Sequence, residues 1–299
     1  MTFFHAIVIG LLQGVTELFP ISSLGHSVLL PAWLGWTDPA FAHTAKAESP
    51  YLAFVVGLHV ATALALLVYF WRDWVAIIKG FVATLSKRRI DTPDERMAWL
   101  LVCATIPAGI TGLLLEHTFR TVFAEPTWAA FFLTLNGLML FGGERLRRRE
   151  EVRALALAHP DRSAAPGDPA RQLDTLDFKE AGVIGVAQIG ALFAGVSRSG
   201  ITMVAGLVRG LDHEDAARFS FLLATPIILA AGVYKIPDLT GSLGNGIRGQ
   251  VLAGSVAAAL AASVSVRFLM KFFQTRTLSP FAVYCVAFGV ASLIRFGLF

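Results

Sequence analysis

The sequence is short of charge and of cysteine, and each shortage narrows what it can be. Charged residues make up 15% of its 299 positions, against about a quarter in an ordinary soluble domain. Hydrophobic residues reach 55% and the mean hydropathy is +0.64, more apolar surface than a soluble core of this length hides. Cys103 and Cys285 are the only cysteines and each lies inside an apolar run. That excludes a disulfide framework and a thiolate metal centre and leaves both as small core residues. No Lys or Arg precedes the first apolar stretch, and Gln13 and Glu17 soon interrupt it, so a signal peptide is not expected there. The 25 basic and 21 acidic residues nearly balance, and most of the basic ones gather in two segments between apolar runs. Such a pattern reports membrane orientation, and no nucleic-acid partner is expected.

What the sequence does contain is a series of apolar runs near the roughly 20 residues that carry an α-helix across about 30 Å of hydrocarbon. About six read as complete spans, over residues 51–71, 97–115, 128–143, 217–236, 250–270 and 280–298. Two more segments, 3–34 and 181–209, are broken at their centres by Pro, Gly, Ser and charged residues. The expected fold is an all-α polytopic membrane protein with about six transmembrane helices and two re-entrant helical hairpins, surrounded by membrane lipids. The linkers 72–96 and 144–180 carry the Lys and Arg clusters and are expected to be cytoplasmic. Within the second, Ala164 to Pro169 has turn and linker composition.

The two broken segments register on each other. Gln13 is followed by Ser22 and Gly25, and Gln188, at the same spacing, by Ser197 and Gly200. Each segment precedes three candidate spans, so the chain reads as one integral membrane domain, 1–299, built from pseudo-repeats 1–143 and 181–299 of opposite orientation. Inverted repeats of this kind bring broken helices together near the bilayer midplane.

Gln13 and Glu17 are four residues apart and share a helix face. Phe19-Pro20 ends that helix, and Ser22, Ser23, Gly25 and His26 follow in loop-like sequence. An ionisable residue at membrane depth is costly enough to mark a site. Arg198 is the sharper clue, because its planar fork suits a phosphate and it needs an anionic partner, Glu17 or a ligand. Gly195, Ser197, Ser199 and Gly200 surround it with backbone N–H groups and hydroxyls, and Thr202 lies a turn further on. His59 and Asn136, isolated in apolar runs, are expected to make interhelical hydrogen bonds. Asp212 to Asp215 are expected to open a helix, where acidic residues complement its dipole.

On these residues the chain resembles the undecaprenyl-diphosphate phosphatase family of the bacitracin-resistance type. Gln13-Gly14-Val15-Thr16-Glu17 matches its Glu/Gln-x-x-x-Glu motif, continuing through Pro20, Ser22, Ser23, Gly25 and His26. Ala194-Gly195-Val196-Ser197-Arg198-Ser199-Gly200-Ile201-Thr202 matches its Pro-Gly-x-Ser-Arg-Ser-Gly-x-Thr motif, with Ala194 in place of the usual Pro. Weaker likeness includes His59 to Thr62 and Phe219 to Ala224. Gln13 stands where many members carry a first Glu. The resemblance implies hydrolysis of undecaprenyl diphosphate to the monophosphate and inorganic phosphate, with Mg²⁺ or Ca²⁺, in the bacterial inner membrane and from the periplasmic side. It implies a phosphate held by Arg198, Ser197, Ser199, Gly200 and Thr202 with Ser22, and a cation placed by Glu17 and Gln13. Ser23 is then the nucleophile, or His26 activates Ser23 or a water. A homodimer is the assembly it suggests. The competing expectation, a lipid-phosphate transporter or flippase, needs the anion loops but not Glu17, Ser23 and His26 as a set.

Overall fold

The computed structural model describes residues 1–36, 50–122, 125–158, 173–241 and 245–297, and among them every regular element is helical. In the first half these are α1 (Phe3–Thr16), α2 (Ser23–Leu34), α3 (Pro50–Tyr69), α4 (Trp71–Lys87), α5 (Pro93–Val122) and α6 (Pro126–Ala158). After a single 3-10 turn at Leu173–Thr175 come α7 (Phe178–Ala187), a 3-10 stretch Gln188–Leu192, α8 (Arg198–Val208), α9 (His213–Thr240), α10 (Arg248–Phe272) and α11 (Ser279–Gly297).

Four helical stretches are long and apolar enough to cross a membrane: Pro93–Leu115, His213–Tyr234, Arg248–Phe272 and Ser279–Gly297. The bent pair α3–α4 makes a fifth if counted as one span. Their outer surfaces are oily, with Leu114 76% and Val68 70% exposed, more apolar surface than a water-soluble monomer tolerates. The chain is therefore an all-helical, multi-pass membrane protein. The 128–143 run forms the first part of α6, which continues as a helix through the basic residues Arg145 to Arg149 that the sequence suggested as linker. Residues 159–172, including the turn-like Ala164 to Pro169, lie outside the described residues.

The other linker differs more. Residues 72–96 were expected to connect two spans, yet most of them form α4, turned by 86° from α3 at Phe70. Its inner side is held against α5. A Cβ on Gly80 would come within 2.9 Å of the Glu95 backbone nitrogen, and Trp99 donates its indole N–H to Thr84 at 2.9 Å.

Small residues decide where α1 goes. A Cβ on Gly10 would strike the Gly254 backbone, and one on Gly14 would strike Ala258, both on α10. Close backbone approach through such residues is how helices associate without a water-driven hydrophobic effect between them. In this way the first half's α1 docks on the second half's α10, while the second half's α7 packs on the first half's α5. The α3–α9 and α6–α11 contacts close the bundle, and the two broken segments meet at its centre.

Candidate active site

Two serines start the two inner helices in the same way. Ser22 caps α2, its Oγ accepting from the Gly25 N–H at 3.2 Å, and Ser197 caps α8, its Oγ accepting from Gly200 N–H at 3.1 Å. Both helices thus present their positive ends at the bundle centre. Ser22 has φ 70°, a conformation that costs a non-glycine residue energy. Its bonds hold it there: its carbonyl accepts from the His26 backbone and from His26 Nδ1 at 2.7 Å, and its Oγ also accepts from Gly195 N–H at 3.2 Å. The last bond ties one broken segment to the other. Gly195 has φ 112° and lies against Gly25, leaving no space for a side chain at either position.

Asn136 on α6 adds a second tie. Its Nδ2 donates to the Pro20 carbonyl at 3.0 Å and its Oδ1 accepts from Ser197 N–H at 2.9 Å. Ser199 adds a third, donating to the Phe19 carbonyl at 3.2 Å.

These ties bring Arg198 to Glu17, Nη2 to Oε1 at 2.5 Å. The other carboxylate oxygen of Glu17 accepts from Ser23 Oγ at 2.5 Å and from Gln13 Nε2 at 3.0 Å, and stands 3.3 Å from His59 Nε2. His59 Nδ1 lies 2.8 Å from the Val55 carbonyl. Both ring nitrogens of His59 therefore face oxygen atoms, one of Glu17 and one of the Val55 carbonyl. One carboxylate, buried at 7% exposure, gathers a guanidinium, a hydroxyl, an amide and an imidazole.

Beside this cluster is a cavity of about 320 Å³. Its polar lining includes Glu17, Ser22, Ser23, His59, Ser197 and Arg198, and aliphatic residues such as Leu24, Val28, Leu192 and Ile227 make up much of the remainder. Arg198 Nη1 is buried without a hydrogen-bond partner. A donor on a charged group left unpaired is costly, and the Arg198 side chain that carries it lines the cavity.

The sequence-derived set divides. Glu17, Ser22, Ser23, Ser197 and Arg198 line the cavity, and Gln13 supports Glu17 from behind. Ser199 bonds Ser197 Oγ at 3.0 Å, Gly200 serves the α8 cap, and Thr202 bonds the Arg198 carbonyl at 2.8 Å and Ser220 Oγ at 2.7 Å. These three shape the loop from outside the cavity. His26 is also turned away, with Nε2 2.7 Å from the Tyr284 hydroxyl and its ring stacked on Tyr284 and Phe288. His59, assigned from sequence to an interhelical bond, reaches Glu17 and lines the cavity. Its signals were a polar residue at membrane depth and its place in the weaker family likeness of His59 to Thr62.

The expected Mg²⁺ or Ca²⁺ has partial provision. Among the described residues no three His, Cys, Asp or Glu side chains converge to hold a metal. Glu17, Gln13 and Ser23 do offer hard oxygen atoms, and Mg²⁺ is commonly bound by one or two carboxylates together with substrate phosphates.

Comparison with known proteins matches this sequence to a family. A relative from Frankia alni named undecaprenyl-diphosphatase 2 is 54% identical over 100% of this chain and 99% of its own length. One from Mycolicibacterium paratuberculosis named undecaprenyl-diphosphatase is 59% identical over 98% of this chain and 97% of its own. Another of that name, from Granulibacter bethesdensis, is 44% identical over 98% and 96%. The family described as bacitracin resistance protein BacA matches residues 6–291, which takes in nearly all of the two broken segments and the helices between them, and this chain belongs to the BacA family.

Proposed function

We propose that the chain hydrolyses undecaprenyl diphosphate, as the names of its relatives indicate for them, giving undecaprenyl phosphate and inorganic phosphate and so recycling a lipid carrier of cell-wall synthesis. The observation that carries this reading is Arg198: one arm paired to Glu17, the other unpartnered beside an apolar-walled cavity. Phosphate binds the free arm and the N-terminal ends of α2 and α8, and the isoprenoid chain leaves along the aliphatic wall.

Ser23 is the favoured nucleophile because its hydroxyl already donates to Glu17. Ser23 Oγ bonds to the terminal phosphorus as its proton passes to Glu17, and the bond to the bridging oxygen breaks with its electron pair leaving on undecaprenyl phosphate. Water then cleaves the serine phosphate and the proton returns to Ser23. In the direct version, water on Glu17 replaces Ser23 in the first step. Arg198 stabilises the charge that develops on the phosphoryl oxygens. A Mg²⁺ or Ca²⁺ held by Glu17 and Gln13 supplies further charge neutralisation when bound. His26 keeps α2 in place through Ser22 and Tyr284. A transporter needs no hydroxyl aimed at Glu17, which favours hydrolysis.

The finer architecture belongs to the same proposal: six spans, with α1–α2 and α7–α8 as re-entrant hairpins in inverted repeats 1–143 and 181–299. At about 1.5 Å per residue, helices of 14, 12, 10 and 11 residues are too short to cross. The exchange of α1 onto α10 and α7 onto α5 is what a pseudo-two-fold axis produces. Tyr51, Val55 and His59 from early α3 and Ile227, Ile228, Ala231 and Gly232 from later α9 line the cavity. That end lies opposite the basic linkers, which supports entry from the periplasmic side of the inner membrane.

The test is phosphate release from undecaprenyl diphosphate by purified protein, with and without Mg²⁺ or Ca²⁺. Arg198→Ala and Glu17→Ala, each folded, are expected to lose about a hundredfold or more in kcat. Ser23→Ala distinguishes the routes: loss supports the serine phosphate, and full turnover leaves direct attack by water. No release by wild type under any condition would remove the hydrolase reading.

A further inference from the structure

We propose that α4 is an interfacial helix that lies in the plane of the bilayer and binds anionic lipid headgroups on the side of the basic linkers. The bend places it: α4 turns 86° from α3, so if α3 crosses the membrane, α4 runs along its surface. The pattern around α4 gives each side a different neighbour. Trp74, Ile77, Phe81 and Thr84 face the protein, with Ile77 5% and Thr84 4% exposed. One residue on, about 100° round the helix, Trp71, Val75, Ile78, Val82 and Leu85 are 56%, 42%, 55%, 59% and 56% exposed. One residue further, exposed Arg72, Lys79 and Ser86 form a third face.

Three faces at these angles fit a helix with protein beside it, acyl chains beneath it and headgroups at its outer edge. Arg72 also lies 5.4 Å over the Trp71 ring, a cation–aromatic pair suited to the interface where Trp is enriched. The exposed Arg88 extends the positive edge beyond the helix. Asp73, the acidic residue of α4, is engaged by Arg218 of α9, so the outer edge stays positive. A second copy of this chain seated on the apolar stripe is the competing occupant; nothing positive would then be required at positions 72 and 79.

The experiment places full-length protein in vesicles of lipid brominated at different acyl depths and reads the fluorescence lost in Trp71→Phe relative to wild type. Quenching of Trp71 by bromines close to the headgroup is expected. Brominated phosphatidylglycerol should quench more than brominated phosphatidylcholine, and Arg72→Gln with Lys79→Gln should reduce the preference by about fivefold per charge. Quenching only at the bilayer centre, equal quenching by both lipids, or Trp71 shielded from all of them would overturn the proposal. Disulfide capture of dimers through Ile78→Cys would assign the stripe to a second copy instead.

Discussion

Asn136 makes the clearest residue-scale demand. It supplies an acceptor to one broken segment and a donor to the other, and its Nδ2 also lies 3.3 Å from Cys285 Sγ. Asn136→Ala leaves the Ser197 N–H and the Pro20 carbonyl buried without that partner, a cost of about 1–3 kcal/mol. Because Glu17 and Arg198 ride on the segments it joins, kcat should fall more than KM rises. Asn136→Asp keeps the acceptor for Ser197 but buries a carboxylate against the Pro20 carbonyl, so it should cost at least as much stability as the Ala variant. Steady-state phosphate release with thermal melting checks this, and a folded Ala variant with wild-type kcat would show that the other ties suffice. The sequence made the local chemistry legible: Gln13 and Glu17 bond at the expected one-turn spacing, and Arg198 finds its acidic partner. It did not reveal that His59 completes the cluster or that His26 faces Tyr284. Both contacts join segments distant in sequence, and residue identity cannot specify which face of α3 or α11 they meet.

At the scale of elements, α1 is the part most exposed to a small change. Gln13 and Glu17 depend on its fit against α10, and Gly14 lies tight in that fit, a Cβ there coming within 2.3 Å of the Ala258 carbonyl oxygen. Gly14→Leu should separate the helices, cost about 1–3 kcal/mol through overpacking, and lower activity by displacing Glu17 from Arg198. Gly14→Ala should show the same direction more weakly. Melting in detergent and turnover of both variants measure the two effects together; two variants with wild-type melting and turnover would mean that α1 repacks freely. Broken helices were legible from Pro20, Gly195 and the clustered serines taken together, because such residues gathered over a short stretch favour turns and helix caps. The helix α4 was not. Its basic residues resembled a linker, while its apolar positions repeat at helical spacing, and only the bend at Phe70 separates an interfacial helix from a longer span.

At the scale of the whole molecule, the hydrogen bonds sort into two ends. Glu144 accepts from Leu278 N–H at 2.8 Å and lies 2.6 Å from His213 Nε2, and Gln274 bonds Glu214 at 3.2 Å. Those residues stand near the basic end of α6. At the other end Gln250 donates to the Met1 carbonyl at 3.3 Å and Thr127 to the Phe296 carbonyl at 3.0 Å. Arg88 and Arg276 should therefore share one membrane face and Asn245 should lie on the other, with the basic face cytoplasmic. Single cysteines at these positions, placed in a chain with Cys103 and Cys285 replaced by Ser, test the arrangement with a membrane-impermeant maleimide on intact cells. Asn245→Cys should react from outside, whereas Arg88→Cys and Arg276→Cys should react only after permeabilisation. Labelling of Arg88→Cys in intact cells would move α4 to the outer surface and reverse the inferred entry of substrate. Labelling that separates Arg88 from Arg276 would break the inverted repeat itself, since the two halves can share one site only if these ends coincide.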